Sequence, residues 1–416
     1  MNILFKWTAG NTLAVFFCLC LLPLAQVSAL AESQTPRFKR GINVSRVFGF
    51  PVRINGSSKY AWPPFNGPLS AMTDTDLVQL KKLGLDFVRL SVDPGPFLES
   101  DTNLRAFLYT DLKNFILRLN VHGLKVLVDL HPATYASEWK ATDVLNRPDS
   151  EKYKGYVDFI IAIVQLLEDI PRSDFALEIM NEPQVKCLRT DGEDWIVTQK
   201  KIYKKIRSVD SDIPLVLTGG CWSSIEGMTM LNPADYDAAT MFDVHFYDPH
   251  SFTHQSLPWS ISPLPFITAL SYPSAYSNAK DTTVASKVYR DEILAPPRTV
   301  SLAVEDEIAK MLKMYYEVQK PDRKLIERHF SHLAKWANDH KIPAERIVIG
   351  EFGAVRWPVA LENGSRERWL KDVRTISEDY GFGWALWDYD KVFGLVLDYE
   401  SKTLDVQVIN ALGLNN

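Results

Sequence analysis

Eight short apolar segments, rich in β-branched residues and separated by helical stretches, are the feature that most limits how this chain can fold. The segments are near-continuous apolar runs instead of alternating ones, which is typical of parallel strands covered on both faces. Parallel neighbours need a crossover connection, usually a helix. The predicted strands are residues 40–46, 85–92, 124–131, 175–182, 213–220, 241–248, 346–353 and 381–388.

The stretches between these segments carry apolar residues at three- and four-residue spacing, as amphipathic helices do. Eight strands alternating with helices predict an α/β fold, a single-domain (β/α)8 (TIM) barrel with a long loop excursion after strand 6. A doubly wound open sheet is the alternative, but no glycine-rich nucleotide-binding motif follows the first predicted strand. The predicted helices are residues 73–84, 111–123, 153–170, 194–209 and 323–340, with a further helix, 305–320, inside the excursion 248–321.

The N-terminus of the chain is a different kind of sequence. Lys6 precedes an apolar stretch, 13–25, and the small residues Ala29 and Ala31 follow it. This order is typical of a secretory signal peptide, with an uncleaved membrane anchor as the alternative. We therefore expect a signal peptide at residues 1–31, a single folded domain at 32–416, and a secreted or periplasmic protein.

Charge and cysteine content exclude several classes of partner. The formal net charge is -5, without long runs of one sign, so nucleic acid and anionic membrane surfaces are not expected partners. Cys18 and Cys20 lie within the predicted signal peptide, which leaves Cys187 and Cys221. Neither belongs to a CxxC pair, so no zinc site is predicted. We expect a monomer without metal or cofactor.

Polar, titratable or aromatic side chains stand at the C-terminal ends of the otherwise apolar strands. In (β/α)8 barrels the active site is built at these ends. Any one of the side chains could be a satisfied structural residue, but their shared position predicts a common cleft. Pro183 predicts an extended backbone at Glu182, which would fix the direction of its carboxylate. The candidate site residues are Arg89, His131, Asn181, Glu182, His245, Tyr247, Glu351 and Trp387.

Two carboxylates held across a cleft are what glycoside hydrolysis requires. One protonates the leaving oxygen, and the other attacks the sugar or stabilises its positive charge. A metal-dependent barrel hydrolase is one alternative, but it would need a histidine pair at the end of the first strand, where residues 42–46 read INVSR. A non-catalytic carbohydrate-binding barrel is another, although a pure binder has no use for two opposed carboxylates.

An ordered set of strand-end motifs resembles glycoside hydrolase family 5, the cellulase-like retaining β-glycosidases. The resemblance runs from Arg40 onward and consists of RGINVSRVFG, FVRLSV, VDLHPA, LEIMNEP, VHFYDP, IGEFGA and WALWD. It implies that Glu182 is the general acid/base, that Glu351 is the nucleophile, and that the other six candidate residues support them. It also implies a β-linked glucan as substrate, with exo-acting β-glucanase or β-mannanase activity as alternatives.

Residues of the long excursion after strand 6 are predicted to line the cleft. His254 and Trp259 are the first candidates, with loop packing as the alternative. Phe266, Tyr272 and Tyr276 are further candidates, since a loop of this size could present aromatic rings to several sugar units of a substrate.

Three further residues have expected structural roles. Glu178 lies inside the fourth strand and is expected to be a paired acid of the barrel core. Cys187 and Cys221 follow the fourth and fifth strands, so their thiols are expected to lie close enough for a disulfide. Two free buried thiols are the alternative.

Overall fold

The computed structural model describes residues 35–55, 57, 59–66, 71–132, 139–145, 150–184, 195–358, 361–390, 392–398 and 400–415. The segment predicted to be a signal peptide, residues 1–31, lies outside the described residues. Among the helices that the structure describes, none is long and apolar enough to cross a membrane.

Eight parallel strands close into a barrel in which each strand pairs with its neighbours in sequence order, and β8 pairs with β1. The predicted (β/α)8 barrel is therefore confirmed, and the open-sheet alternative is wrong. The strands are β1 (Arg40–Ser45), β2 (Phe87–Val92), β3 (Lys125–Leu130), β4 (Phe175–Glu178), β5 (Leu215–Thr218), β6 (Thr240–Phe246), β7 (Ile347–Phe352) and β8 (Gly383–Leu386); a small hairpin, β9 (Val396–Asp398) and β10 (Thr403–Leu404), lies outside the barrel.

All eight predicted strands exist, but most are shorter at the C-terminal end than the apolar runs suggest. β4 ends at Glu178 although the prediction extended to residue 182. Its ladder with β5 comprises only Leu177 and Glu178, so the backbone beyond them is free to turn. The predicted site residues Asn181 and Glu182 consequently stand on a loop above the barrel.

Helices cover the outside of the barrel, and the five helices predicted between strands are confirmed. The helix predicted at 111–123 begins earlier, at Thr102. The Asp101 carboxylate caps this helix by accepting hydrogen bonds from the N–H groups of Asn103 and Leu104. The helices are α1 (Arg46–Gly49), α2 (Asp74–Lys82), α3 (Pro94–Glu99), α4 (Thr102–Val121), α5 (Ala141–Leu145), α6 (Glu151–Leu166), α7 (Trp195–Arg207), α8 (Ile225–Thr229), α9 (His250–Thr253), α10 (Ala279–Val288), α11 (Leu302–Lys313), α12 (Arg323–Asp339), α13 (Ser365–Asp379) and α14 (Val406–Ala411).

The excursion after β6 is ordered and packs against the barrel. It contains α9, α10 and α11, and the predicted helix at 305–320 continues past α11 as a π-helical turn, Met314–Gln319. Tyr315 donates to the Ser271 carbonyl at 2.9 Å, and Tyr272 donates to Asp372 of α13 at 2.9 Å. The first bond joins two parts of the excursion, and the second fixes the excursion to a helix of the barrel.

The interior of the barrel has an apolar layer and a charged layer. The apolar layer consists of Phe38, Phe87, Leu127, Ala176, Val216, Met241, Val348 and Ala385. Further along the strands, inward-facing positions become charged, beginning with the fully buried Arg89 and Glu178. The change from apolar to charged side chains marks the end of the barrel at which a site is to be sought.

Candidate active site

Seven of the eight predicted strand-end residues line one cleft of about 1390 Å³; they are His131, Asn181, Glu182, His245, Tyr247, Glu351 and Trp387. The eighth, Arg89, is completely buried beneath the cleft and hydrogen-bonds to two of the seven. The predicted convergence of these side chains is thus seen in the structure.

Glu351 stands at the bottom of the cleft, and each of its carboxylate oxygens accepts one hydrogen bond. Arg89 Nη1 donates to Oε1 at 2.7 Å, and the Tyr247 hydroxyl donates to Oε2 at 2.8 Å. Burial raises the pKa of Glu351, and the nearby His245 and Arg89 cations oppose that rise. Burial also raises the pKa of Tyr247 well above its usual value, so this phenol keeps the proton that it donates.

Glu182 faces Glu351 across the cleft and is 28% exposed. His245 Nδ1 lies 2.9 Å from Glu182 Oε1 and 3.7 Å from Glu351 Oε2. An oxygen of Glu182 and an oxygen of Glu351 lie within 4.8 Å of each other. The two carboxylates therefore share one small space with the imidazole between them.

The backbone of Glu182 differs from the prediction. Its φ is +37°, in the left-handed region, so the expected extended conformation before Pro183 is wrong. The hydrogen bond between Asn181 N–H and the Leu130 carbonyl and the contact of the Glu182 side chain with His245 hold the loop in place. These tertiary contacts outweigh the local preference, and backbone strain of this kind is concentrated at functional sites.

Arg89 connects the two sides of the site. Its guanidinium forms a two-bond pair with Glu178, with Nε–Oε2 and Nη2–Oε1 distances of 2.8 and 3.0 Å. Nη1 also donates to Asn43 at 3.0 Å, and Nη2 donates to the Asn181 amide oxygen at 2.9 Å. Glu178 is therefore the paired core acid that the sequence suggested, and Asn43 is a contributor that the motif analysis passed over.

His131 is oriented by bonds to both of its ring nitrogens. Nδ1 lies 2.7 Å from Asp129 Oδ2, and Nε2 lies 3.2 Å from the Asn181 side-chain nitrogen. The Asp129 carboxylate accepts a hydrogen bond from Nδ1–H, which leaves Nε2 to accept one from the Asn181 amide. The ring also stacks on Trp387 at a centroid distance of 5.7 Å. Asp129 was missed because an acid inside a buried strand resembles any core ion pair.

Only some of the excursion residues that were predicted to line the cleft do so. His254 and Trp259 both line the cleft. His254 packs against the Tyr247 ring at 5.0 Å, and burial lowers its pKa to about 3. Tyr272 is fully buried, and Tyr276 is 67% exposed but contacts Arg368 outside the cleft, so neither ring lines the cleft as predicted.

Phe266 is half-buried against the core and does not line the cleft. Its prediction as a cleft residue is therefore wrong, as are those of Tyr272 and Tyr276. Phe266 and Tyr272 pack instead in the apolar core that the excursion shares with the rest of the barrel.

A left-handed turn places a further tryptophan in the cleft. Cys221, Trp222 and Ser223 have φ values of 61°, 56° and 56°, a conformation that costs roughly 1–2 kcal/mol for each non-glycine residue. Trp222 N–H donates to the Pro183 carbonyl at 3.4 Å, and its side chain is 54% exposed. Cys221 is disulfide-bonded. Cys187 lies outside the described residues, so its pairing with Cys221 stays a prediction.

Among the residues that the structure describes, two groups of potential ligand atoms lie close enough together for a metal ion, and both include His245. One group adds Glu182 and Glu351, and the other adds Glu178 and Asp243. In both groups the acids already contact the cationic side chains of the site. Since each of these acids already contacts Arg89 or His245, we assign no ion to either group.

Comparison with known proteins agrees with this geometry. The chain matches the cellulase family, glycosyl hydrolase family 5, over residues 46–392. Endoglucanase C of Acetivibrio thermocellus is 24% identical over 381 residues, which cover 90% of this chain and 98% of that protein. Endoglucanase 3 of Fibrobacter succinogenes is 22% identical over 354 residues, which cover 82% of this chain and 49% of that protein.

Solved structures share the fold. Thermotoga maritima Cel5A, in complex with mannotriose, has a TM-score of 0.63 at 19% identity and covers 92% of this chain and 99% of its own. A Bacteroides ovatus xyloglucanase has a TM-score of 0.62 at 16% identity and covers 95% of this chain and 77% of its own.

The family match takes in β2 to β8 and includes Glu182 and Glu351. The chain therefore belongs to glycosyl hydrolase family 5 and is a glycosidase of the cellulase type.

Proposed function

We propose that this protein is an exported, retaining β-glycanase that cleaves β-linked glucan within an open cleft, with Glu182 as general acid/base and Glu351 as nucleophile. The observation that carries the proposal is the approach of the two carboxylates, whose oxygens lie within 4.8 Å of each other. Retaining enzymes hold their carboxyl groups about 5–5.5 Å apart, whereas inverting enzymes need roughly 6.5–9.5 Å to admit a water.

In the first step, a Glu351 oxygen attacks the anomeric carbon while the bond to the leaving oxygen breaks. Glu182 gives its proton to that oxygen, and the sugar becomes an ester of Glu351. The hydrogen bonds from Arg89 and Tyr247 aim the Glu351 carboxylate and limit its rotation. Asn181, fixed by Arg89, is available to hydrogen-bond a sugar hydroxyl.

In the second step, water attacks the anomeric carbon and breaks the ester bond. Glu182, now a carboxylate, accepts the proton of the water and returns to its acid form. Two inversions at the same carbon leave the product with its original β configuration. His131 and Trp387, stacked on each other, form a fixed wall beside the reacting sugar.

A β-linked glucan is the favoured substrate because relatives that align with most of the chain are named endoglucanases. Trp222 and Trp259, which are 54% and 68% exposed, supply two aromatic rings along the cleft in addition to Trp387. Rings spread in this way suit several sugar units of a chain. Mannan is the second candidate, since the mannotriose complex is of a protein with the same fold.

Variants of the two carboxylates test the assignment. Glu351→Ala is expected to abolish turnover of every glucan. Glu182→Ala is expected to slow natural glucans far more than aryl glycosides, whose good leaving groups need no protonation. Azide should then restore turnover of the Glu182 variant and give a β-glycosyl azide. Near-normal rates of both variants on a natural glucan, or an α-anomer as the first product in proton NMR, would contradict the proposal.

Export and the disulfide belong to the same proposal. Residues 1–31 act as a cleaved signal peptide, and residues 32–416 form the secreted or periplasmic catalytic domain, a monomer. Export allows Cys221 to pair with Cys187, which would tie the turn carrying Trp222 to the loop after Glu182. Non-reducing mass spectrometry of the exported protein is expected to detect the Cys187–Cys221 peptide. Two alkylatable thiols would exclude the disulfide.

A further inference from the structure

Asp243 is a fully buried carboxylate in the charged layer of the barrel, and the strand-end motifs do not include it. It lies on β6 two residues before His245, so both side chains point into the barrel. Gly350 N–H donates to Asp243 Oδ1 at 2.6 Å. Asp243 Oδ2 lies 3.4 Å from His245 Nε2 and 3.7 Å from Arg89 Nε.

The neighbouring strand leaves room for this carboxylate. A Cβ atom on Gly350 would lie 2.2 Å from Asp243 Oδ2, a distance that no side chain could tolerate. Gly350 immediately precedes Glu351 on β7. The strand that carries one of the two catalytic candidates therefore also makes the space for Asp243.

The His245 ring connects Asp243 to both carboxylates of the cleft. Nδ1 is the nitrogen that contacts Glu182 and Glu351. Nε2 and Asp243 Oδ2 are 3.4 Å apart, which is an ion-pair contact, and neither atom has a hydrogen-bond partner among the described residues. Burial lowers the pKa of His245, but the surrounding acids, Glu351 first among them, raise it well above its usual value.

We propose that Asp243 is a positioning residue whose negative charge, 3.4 Å from Nε2, keeps His245 as an imidazolium that donates its Nδ1 proton to Glu182. The inference deepens the proposed function and rests on it. The charged and titratable groups around this pair are Arg89 from β2, Asp129 from β3, Glu178 and Glu182 from β4 and its following loop, Tyr247 after β6, and Glu351 from β7.

The imidazolium acts by its charge and its Nδ1 proton, and it transfers no proton itself. When Glu182 has given its proton to the leaving oxygen, its carboxylate accepts a hydrogen bond from His245 Nδ1. When water later attacks, Glu182 takes the proton of that water, and His245 is unchanged. The same positive charge favours the ionised form of Glu351 before the first step.

The substitution Asp243→Asn removes the negative charge of the side chain and keeps its shape. The side-chain oxygen still accepts from Gly350 N–H, and the new amide can donate to Nε2 of a neutral ring, which keeps the Nδ1 proton for Glu182. The ring then loses its positive charge, and Glu351 loses a cation 3.7 Å away. The acid limb of the kcat/KM profile should move to higher pH by about 1 to 3 pH units, the usual effect of one charge at this range.

The experiment measures pH profiles on a cellooligosaccharide together with 15N NMR of the His245 ring in the full chain. The wild-type ring is expected to be an imidazolium at pH 7. In Asp243→Asn the ring should lose its proton at a lower pH than in the wild type. Asp76→Asn, which removes another buried acid from the capping box of α2, is expected to leave both measurements at wild-type values.

A neutral wild-type His245 ring at pH 7 would overturn the inference, and this measurement does not depend on the variant folding. An unshifted acid limb, or an Asp243→Asn ring that loses its proton at the same pH as the wild-type ring, would overturn it as well. If the wild type hydrolysed no glucan or mannan while the NMR results held, the proposed function would fail, and the control of the His245 charge by Asp243 would stand.

Discussion

Arg89→Met is expected to destabilise the protein by about 3–5 kcal/mol, the usual cost of removing one partner of a buried ion pair. Arg89 is completely buried, and its guanidinium contacts Glu178, Asp129 and Glu351 at 2.8, 3.2 and 2.7 Å. Methionine fills a similar volume, so the loss measures charge and hydrogen bonding more than packing. The free energy of unfolding, from urea titrations at pH 7, is the quantity to compare.

The pH dependence of this loss has a definite sign. Without Arg89, the buried acids of the folded state have higher pKa values than in the unfolded chain. The folded state then binds more protons, and its stability falls as the pH rises through the range between the two values. The penalty of Arg89→Met should therefore be larger at pH 8 than at pH 5.

Two companion variants make the interpretation specific. Glu178→Met in the Arg89→Met background removes the acid that forms two bonds to the guanidinium. The double variant should therefore lose less stability than the sum of the single variants.

Arg40→Met serves as the matched control, because Arg40 pairs with Glu378 at a position that is 37% exposed. Exposed pairs contribute about 0–1 kcal/mol. An Arg89 effect as small as that of Arg40, or strict additivity with Glu178→Met, would refute the reasoning.

Two further predictions concern activity. Burial raises the pKa of Glu351, and the proposed nucleophile reacts as a carboxylate. The kcat/KM should therefore fall with decreasing pH through a value above the 4.5 of an ordinary glutamate, and an acid limb at or below 4.5 would contradict this. Trp222→Ala and Trp259→Ala should lower kcat/KM for long cellooligosaccharides more than for cellobiose derivatives, whereas Tyr276→Ala, outside the cleft, should not. Equal losses at every chain length would argue against an extended cleft.

The architecture could be predicted from the sequence because the strands and helices have strong local signals. Apolar runs of strand length separated by helical periodicity allow few arrangements other than the barrel. The rule that barrel sites form at the C-terminal strand ends then selects side chains such as Glu351 and His131, and the structure brings them into one cleft.

The charged layer beneath the cleft was harder to identify. Asp129 and Asp243 lie inside buried strands, where an acid resembles an ordinary core ion pair. Their importance depends on which strands face each other across the barrel and on the gap at Gly350. Neighbour relations of this kind are not encoded in the spacing of residues along any one strand.

The sequence by itself determined the order of strands and helices, the barrel, and the two carboxylates at its mouth, because each depends on local pattern and on a general rule of the fold. Only the tertiary structure decided the left-handed backbone of Glu182, the burial of Tyr272, and the position of His245 between the carboxylates. Each of these results from contacts between segments distant in the chain, whose combined energy exceeds the local preference of any single residue.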